Sequence, residues 1–529
     1  MPLDCFEVKE KDLLGRIGYL RTKSGTIETP YLLPVINPNL QPVPAGEMRE
    51  LGFNAVMTNS YLIWKRPDQS ASPTDVHRIL GFNGVVATDS GAYQILQYGD
   101  VEVPPDEIVR FQEKINTDIG VILDIPTGAS EDRAFALHSV GETLKRADES
   151  IRVRSREDIL WEGPIQGGIH LDLVTSSAWK MARKPFPIYA LGSPTPSMEQ
   201  YSFAYLVDMI AAARKHIPSN RPLHLFGAGH PMMLSLAVAM GCDLFDSAAY
   251  ALFARSGRYL TNRGTFKLRD LNYFPCSCPV CTSTNPDDLR RLGTHDQEVF
   301  LARHNLHATC AEMRTIKQAI ADGRLWELVS SRRRAHPALE DAFSRFVSHA
   351  KSFERHTPSV RRRAVFISEE ADLSRPEILR HKERLLSNCR KSREARVLLL
   401  VPKGATRMTK AMKNLVRMAA ANDQVDVCYY GLPFGLIPEQ LDNTFPLAQT
   451  ETSQHLAGPG LNIGLLSEYL QVNRYRIVLA VLERKPDPKK IREMRSLSRR
   501  LRLTVRVAVL ENGPRQLTRL QTELKSIEQ

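Results

Sequence analysis

Between residues 50 and 250, short apolar runs alternate with amphipathic stretches of helical length, a rhythm that restricts the chain to folds built on a parallel sheet. The strand-like runs fall at 53–57, 85–88, 119–123, 163–166, 188–191, 223–226 and 243–245. Helical patterns such as 105–115, 135–151 and 198–216 separate them. Seven or eight such units suit a (β/α)8 TIM barrel, but a doubly wound open sheet shares the rhythm. The polar residues decide between the two. Asp89, Asp124, Gln166, Gly192, Gly227 and Asp246 each follow a strand-like run, in ATDSGAYQ, ILDIPTG, PIQGG, ALGSP, LFGAGHP and LFDSAAY. Any one of them alone reads better as a turn or N-cap residue. Six together, offering carboxylates and a carboxamide, match an enzyme that builds its site from the C-terminal ends of several barrel strands.

With 529 residues the chain is too long for one ordinary core. Beyond Cys281 it turns helical, with 296–321 the longest amphipathic stretch. Arg332–334 and Arg361–363 bracket a polar junction, and runs at 395–401, 425–430, 475–482 and 503–510 announce a second, smaller α/β unit. The expected division is 1–345 and 346–529. Charge divides in the same place. Residues 1–330 hold 34 Lys and Arg against 38 Asp and Glu, net −4, whereas 331–529 hold 37 against 21, net +16. Ten of the basic residues lie in 484–506, beside two acids. A basic half joined to a near-neutral half suggests that one part grips nucleic acid while the other does chemistry, although a solvated basic surface would look the same. Hydrophobic residues at 43% and charged residues at 25% exclude a disordered chain. No apolar window reaches the ~18 residues of a membrane span, and the opening MPLDCFEVKEKD lacks a signal peptide's apolar stretch, so a cytoplasmic protein without membrane contact is expected.

Three of the eight cysteines, Cys276, Cys278 and Cys281, form C-x-C-x2-C, a spacing that lets thiolates reach one tetrahedral Zn²⁺. His295, His304, His307 and Cys310 are all candidates for the fourth ligand. Four protein ligands leave no position for water, so such a site is structural. Asp89 and Asp246 form a second constellation. Two carboxylates in one pocket can divide nucleophilic and acid/base roles at an anomeric carbon, but spacing cannot show that they face each other, and alone each reads better as a cap than as a catalyst.

DSGAYQ, LDIPTG, IQGG, LFGAGHP and LFDSA, then C-x-C-x2-C and HNL, occur in an order that resembles the tRNA-guanine transglycosylases. The opening TPYLLPVINP, the LDIPT run and the basic extension resemble the archaeal members in particular. The likeness is close over 1–345 and looser through FISEEADLSRPEILRH and YYGLPFGLIPEQLDNTFPLAQTE. It implies a zinc-containing (β/α)8 enzyme that replaces guanine 15 of the tRNA D-loop with 7-cyano-7-deazaguanine, the first committed step toward archaeosine. In that family pattern Asp246 is the nucleophile on ribose C1′ and Asp89 the acid/base. Asp124 accepts the N1–H and amine of the base, Gln166 and the backbone at Gly192 address O6, Tyr93 and Phe226 sandwich the ring, and Ser90 lines the pocket. His304 matches the zinc ligand. Arg255, Arg258, Arg263, Lys267 and Arg269, between nucleophile and zinc loop, would hold tRNA phosphates.

The resemblance has gaps. Many archaeal members carry a PUA module, and none is recognisable before Gln529, so a separate PUA protein or the basic extension itself is expected to supply that grip. A homodimer is left open. The paralogous archaeosine synthase shares the architecture but lacks the catalytic aspartates and zinc cysteines. A transglycosylase for another tRNA position would share the pocket, and a non-catalytic tRNA-binding protein would share the barrel and the basic extension.

Overall fold

The computed structural model describes residues 5–65, 75–92, 103–403, 410–456, 460–482, 488–510 and 514–527. It divides into two compact units, Met1–His349 with His356–Pro358, and Ala350–Arg355 with Ser359–Gln529.

The first unit opens with an antiparallel sheet of β1 (Phe6–Asp12), β2 (Gly15–Thr22) and β3 (Gly25–Thr29). Eight parallel strands follow in chain order: β4 (Tyr31–Ile36), β5 (Ala55–Asn59), β6 (Val85–Asp89), β7 (Ile119–Val121), β8 (Leu160–Ile165), β9 (Ile188–Leu191), β10 (Leu223–Leu225) and β11 (Leu244–Ser247). Each pairs with its sequence neighbour, and β11 pairs with β4, so the sheet closes into the expected barrel. The strands are almost wholly buried and mostly apolar because both faces are covered, the inner by barrel side chains and the outer by helices. Those helices include Pro105–Lys114, Arg133–Val153, Leu171–Met181, Phe203–Arg214 and Pro231–Ala239.

The small antiparallel sheet lies at the barrel's N-terminal end. Asn54, just before β5, donates to the Thr26 carbonyl at 2.9 Å, and Lys23 donates to the Thr117 carbonyl just before β7 at 2.6 Å. That leaves the opposite rim, where every strand ends, as the place for a site. The helical pattern at 198–216 resolves into Thr195–Glu199 and Phe203–Arg214, broken where Tyr201 takes a left-handed φ of 57°.

After β11 come the helix Ala249–Arg255, the hairpin β12 (Arg258–Thr261) and β13 (Gly264–Lys267), two short helices and the long helix Thr294–Asp322. Tyr259, Leu271, Cys281, Leu289, Phe300 and Leu301 of this segment are buried in one cluster with the barrel residues Leu33, Val56 and Val86, so it shares the barrel's core.

The second unit is an α/β layer built on a five-stranded sheet. β15 (Val397–Pro402) pairs in parallel with β16 (Val425–Gly431) and β19 (Ile477–Leu482), β20 (Thr504–Val509) runs parallel to β19, and β17 (Gly435–Pro438) is antiparallel to β16. A separate parallel pair joins β14 (Val365–Ile367) to β18 (Thr450–Thr452). No helix among the described residues is long and apolar enough to cross a membrane.

Barrel packing is tight enough to test with one methyl group. Gly120 on β7 stands opposite Trp161 on β8, and a Cβ there would lie 2.7 Å from the buried indole. Gly120→Ala should destabilise the barrel by about 1–3 kcal/mol, as overpacking does, read from urea unfolding. An unchanged unfolding midpoint would show that the indole has room to move.

Candidate active site and metal centre

The rim residues are set by strand ends. Asp89 is the last residue of β6 and lies beside Asn59, the last of β5, which donates from Nδ2 to Asp89 Oδ2 at 2.9 Å. Asp246 sits inside β11, with Oδ1 accepting the Gly227 N–H at 2.9 Å. Gly227 has a left-handed φ of 68°, which lets the chain after β10 turn its amide toward that carboxylate. Asp124 lies just past β7, and Gln166 follows β8 directly.

Gln166 and Asp124 are joined by a hydrogen bond whose direction follows from the neighbours. Gln166 Oε1 accepts the Thr127 N–H at 3.1 Å and the Ser193 hydroxyl at 2.9 Å, so its Nε2 donates to Asp124 Oδ2. Gly192, first after β9, leaves space for that amide, since a Cβ there would stand 2.1 Å from Gln166 Nε2. Phe226 follows β10, half-buried, with its ring edge-on to His224 at 4.8 Å. Ser90 is fully buried, and its hydroxyl donates to the Ile122 carbonyl at 3.1 Å, which ties the ends of β6 and β7 together. Tyr93 lies outside the described residues.

Crowding these carboxylates changes their acidity. Burial, and then repulsion from Asp124 and Asp246, pushes Asp89 up to about 7. Burial raises Asp124 to about 6, against the opposing pull of the Gln166 hydrogen bond. Asp89 therefore sits where a proton can be given and retrieved near neutrality. Asp124 and Gln166 present an acceptor and a donor side by side, the pattern that reads a guanine-like edge.

Three contributors were not singled out from the sequence. They are Asn59, Glu162 and His224. His224 Nε2 lies 3.2 Å from Asp246 Oδ1, and its Nδ1 lies 3.0 Å from Glu162 Oε2. The only sequence signal was a polar residue inside a short apolar strand, LHL and LWEGPI, where barrel interiors usually carry Val, Ile or Leu.

Cys276, Cys278, Cys281 and His304 bring their ligand atoms within 4.8 Å of one another, the one such group among the described residues. His304 Nδ1 faces Cys281 Sγ at 3.2 Å and Cys278 Sγ at 3.7 Å, while Nε2 lies 2.9 Å from the Leu260 carbonyl, an arrangement that fixes the tautomer and aims Nδ1 at the sulfurs. The Tyr259 ring stacks on the imidazole at 3.5 Å. Cys310 instead approaches the Leu51 carbonyl at 3.7 Å, and neither His295 nor His307 belongs to the cluster. Three sulfurs and an imidazole nitrogen form a donor set that fits a tetrahedral metal ion with no open position.

The five cations expected to meet phosphate lie on the helix end after β11, on the β12–β13 hairpin and just beyond it, all exposed. Arg255 is paired with Glu298 at 3.4 Å and Arg269 with Asp270 at 3.6 Å. Metal analysis should find one ion per chain. Cys278→Ala should lose it and lower the melting temperature by at least about 5 °C, because binding energy at such a site is folding energy. Full metal occupancy in that variant would move the site elsewhere.

Comparison with known proteins agrees with this geometry. The family model described as queuine tRNA-ribosyltransferase (TGT) matches residues 11–338. The tRNA-guanine(15) transglycosylase of Methanococcus aeolicus is 40% identical over 483 residues, 89% of this chain and 73% of the relative. That of Methanocaldococcus jannaschii is 43% identical over 455 residues, covering 84% of this chain and 68% of the relative, and that of Methanosarcina mazei 42% identical over 443 residues, 83% and 86%. From its barrel strands to its cysteine loop, the chain belongs to the queuine tRNA-ribosyltransferase (TGT) family.

Proposed function

We propose that this chain exchanges guanine at position 15 of the tRNA D-loop for 7-cyano-7-deazaguanine, by double displacement through a covalent aspartyl-tRNA intermediate. The observation that carries the reading is the convergence of Asp89, Asp124 and Asp246 on one barrel rim, close enough for Asp124 and Asp246 to raise the pKa of Asp89. The names of the relatives support the tRNA position.

Asp246 Oδ2 attacks ribose C1′ while the bond to guanine N9 breaks, and the electron pair leaves with the base. Asp89, as the carboxylic acid, protonates the departing guanine. In the return step Asp89 takes the proton from N9 of the incoming base, N9 attacks C1′, and Asp246 departs as carboxylate. One glycosidic bond replaces another, so no ATP is consumed. Asp124 takes the N1–H and exocyclic amine of either base, displacing the Gln166 amide from Asp124 so that it can turn to O6. Phe226 forms one face of the stack, and the family resemblance gives Tyr93 the other. Ser90 and Gly192 line the pocket.

Zn²⁺ would occupy the Cys276, Cys278, Cys281 and His304 centre in a structural role. It would pin the segment that carries Arg255, Arg258, Arg263, Lys267 and Arg269 beside the flipped nucleotide. The second unit would supply further phosphate contacts. Its helix Pro488–Leu501 turns Met494 and Leu497 inward and leaves Arg492, Arg495, Ser496, Arg499 and Arg500 lining an open cavity of about 570 Å³.

The direct test is release of labelled guanine from tRNA labelled at position 15, with and without 7-cyano-7-deazaguanine. Exchange should occur in the intact chain. Asp246→Asn should abolish it and prevent a trapped adduct, while tRNA affinity stays within about threefold because phosphates supply most of the binding. Turnover by Asp246→Asn would remove the double displacement, and release only from another labelled position would support a different tRNA site.

The pKa of Asp89 gives a pH prediction. The carboxyl must be protonated to assist the leaving base, so single-turnover guanine release should fall as pH rises through about 7. A flat profile between about pH 6 and 8 would take Asp89 out of the acid role.

A further inference from the structure

His224, clamped between Glu162 and Asp246, is the part of the barrel interior for which the exchange reaction has so far supplied no use. β8 and β10 are not neighbours, since β9 lies between them, so Glu162 and His224 can meet only inside the ring. Both are buried almost completely, in a region that barrels ordinarily fill with aliphatic residues. A pair of ionisable side chains there is costly unless every donor and acceptor is matched.

A positive imidazole matches both neighbours. A neutral imidazole has one N–H, so between two carboxylates it would donate to one and aim a lone pair at the other. An imidazolium donates from Nδ1 to Glu162 Oε2 at 3.0 Å and turns its second N–H edge to Asp246, with Nε2 3.2 Å from Oδ1 as an ion pair rather than an aligned hydrogen bond. Asp246 Oδ1 also accepts the Gly227 N–H, so both constraints fall on the same oxygen. No hydrogen bond from the described residues reaches Oδ2, which is left as the reactive atom.

We propose that Glu162 and His224 form a positioning pair for the nucleophile: Glu162 holds His224 as an imidazolium, and His224 fixes Asp246 through Oδ1 so that Oδ2 faces the sugar carbon. The inference rests on the reading of Asp246 as nucleophile. The charge on His224 agrees with its surroundings, because burial pulls its pKa down but Glu162 on β8 and Asp246 on β11, the charged groups that face it, raise it to about 10. The imidazolium also stabilises the Asp246 carboxylate that departs in the return step. No bond forms to His224 and no proton leaves it. The same ring packs edge-on against Phe226, so one residue sets both the nucleophile and one wall of the base pocket.

Full-length Glu162→Gln and His224→Gln test this with tRNA labelled at guanine 15. Glu162→Gln keeps the shape and removes the charge that holds the imidazolium. Each variant should lower kcat and the rate of adduct formation by roughly ten- to a hundredfold, the scale of a misplaced reacting group, with tRNA affinity within about twofold. In histidine-labelled protein at about pH 8.5, above the ordinary imidazole range, the nitrogen NMR spectrum should show one imidazolium. It should be absent from His224→Gln and lost or weakened in Glu162→Gln. Wild-type kcat in folded Glu162→Gln, or a neutral His224 in the wild type, overturns the proposal. The two failures are separable. If Asp246→Asn still turns over, the nucleophile is wrong; if it is inactive while both Gln variants keep wild-type kcat, only the positioning role is wrong.

Discussion

Everything at the rim depends on the pairing of β11 with β4, in which Asp246 lies opposite Leu33 and Ser247 opposite Pro34. Without it the eight strands would form an open twisted sheet, and β6 and β11 would stand far apart. With it, strand ends separated by most of the barrel's sequence share one mouth. Closure also creates the electrostatic problem that the site then uses. Three carboxylates are gathered where water is scarce, and Asp89 and Asp124 respond by holding their protons more tightly. His224, the imidazolium of the proposed positioning pair, stands inside the ring against Asp246 rather than against Asp89. Two carboxylates of identical chemistry thereby acquire different environments, one beside His224 and one in a crowd of like charge, and the acid and nucleophile roles proposed for them rest on that difference.

The cysteine centre meets a related problem by different means. Three sulfurs held within 4.8 Å of one another and of an imidazole nitrogen are poorly served by hydrogen bonds alone, and one cation satisfies them all. Its position follows from packing. Tyr259 on β12 stacks on His304 of the long helix, and Cys281 is buried in the cluster that also contains barrel strand residues. The loop is thus fixed to the barrel on one side and to the long helix on the other. The exposed cations of the β12–β13 hairpin inherit that rigidity, and His230 from the turn after β10 reaches Thr265 on β13 at 2.8 Å.

Much of this was legible from residues alone because barrel strands are short, apolar and followed by polar residues. The run at 188–191 coincides with β9, and Asp89, Gln166 and Gly192 do stand at strand ends. The strand Tyr31–Ile36 was missed, since Pro34 interrupts it and its partner β11 lies at the far end of the barrel sequence. β1 carries no strand signal, because four successive residues, Lys9 among them, face solvent on an edge strand. His304 and His307 could not be separated by spacing, since both follow the cysteines on one helix. Burial and the Leu260 carbonyl separate them. Glu162 and His224 were hidden for a deeper reason: their meaning depends on a contact across the ring, which no local pattern encodes.

The unequal charge of the two sequence segments follows from the chemistry proposed for the rim. A dense positive field near Asp89 would favour its carboxylate and pull its pKa back toward the ordinary range, removing the proton it must deliver. Yet a polyanion has to be attracted, and attraction needs many cations. The cations divide almost evenly, 34 in 1–330 and 37 in 331–529, but the acids do not, so the net excess of +16 falls in 331–529 and 1–330 stays at net −4. The cations kept near the rim obey the same logic. Arg255 and Arg269 are exposed and paired with acids, so their field at the rim carboxylates is weak. The basic helix Pro488–Leu501 buries Met494 and Leu497 and turns its arginines outward, whereas the barrel carries its charged residues Glu162 and His224 inward.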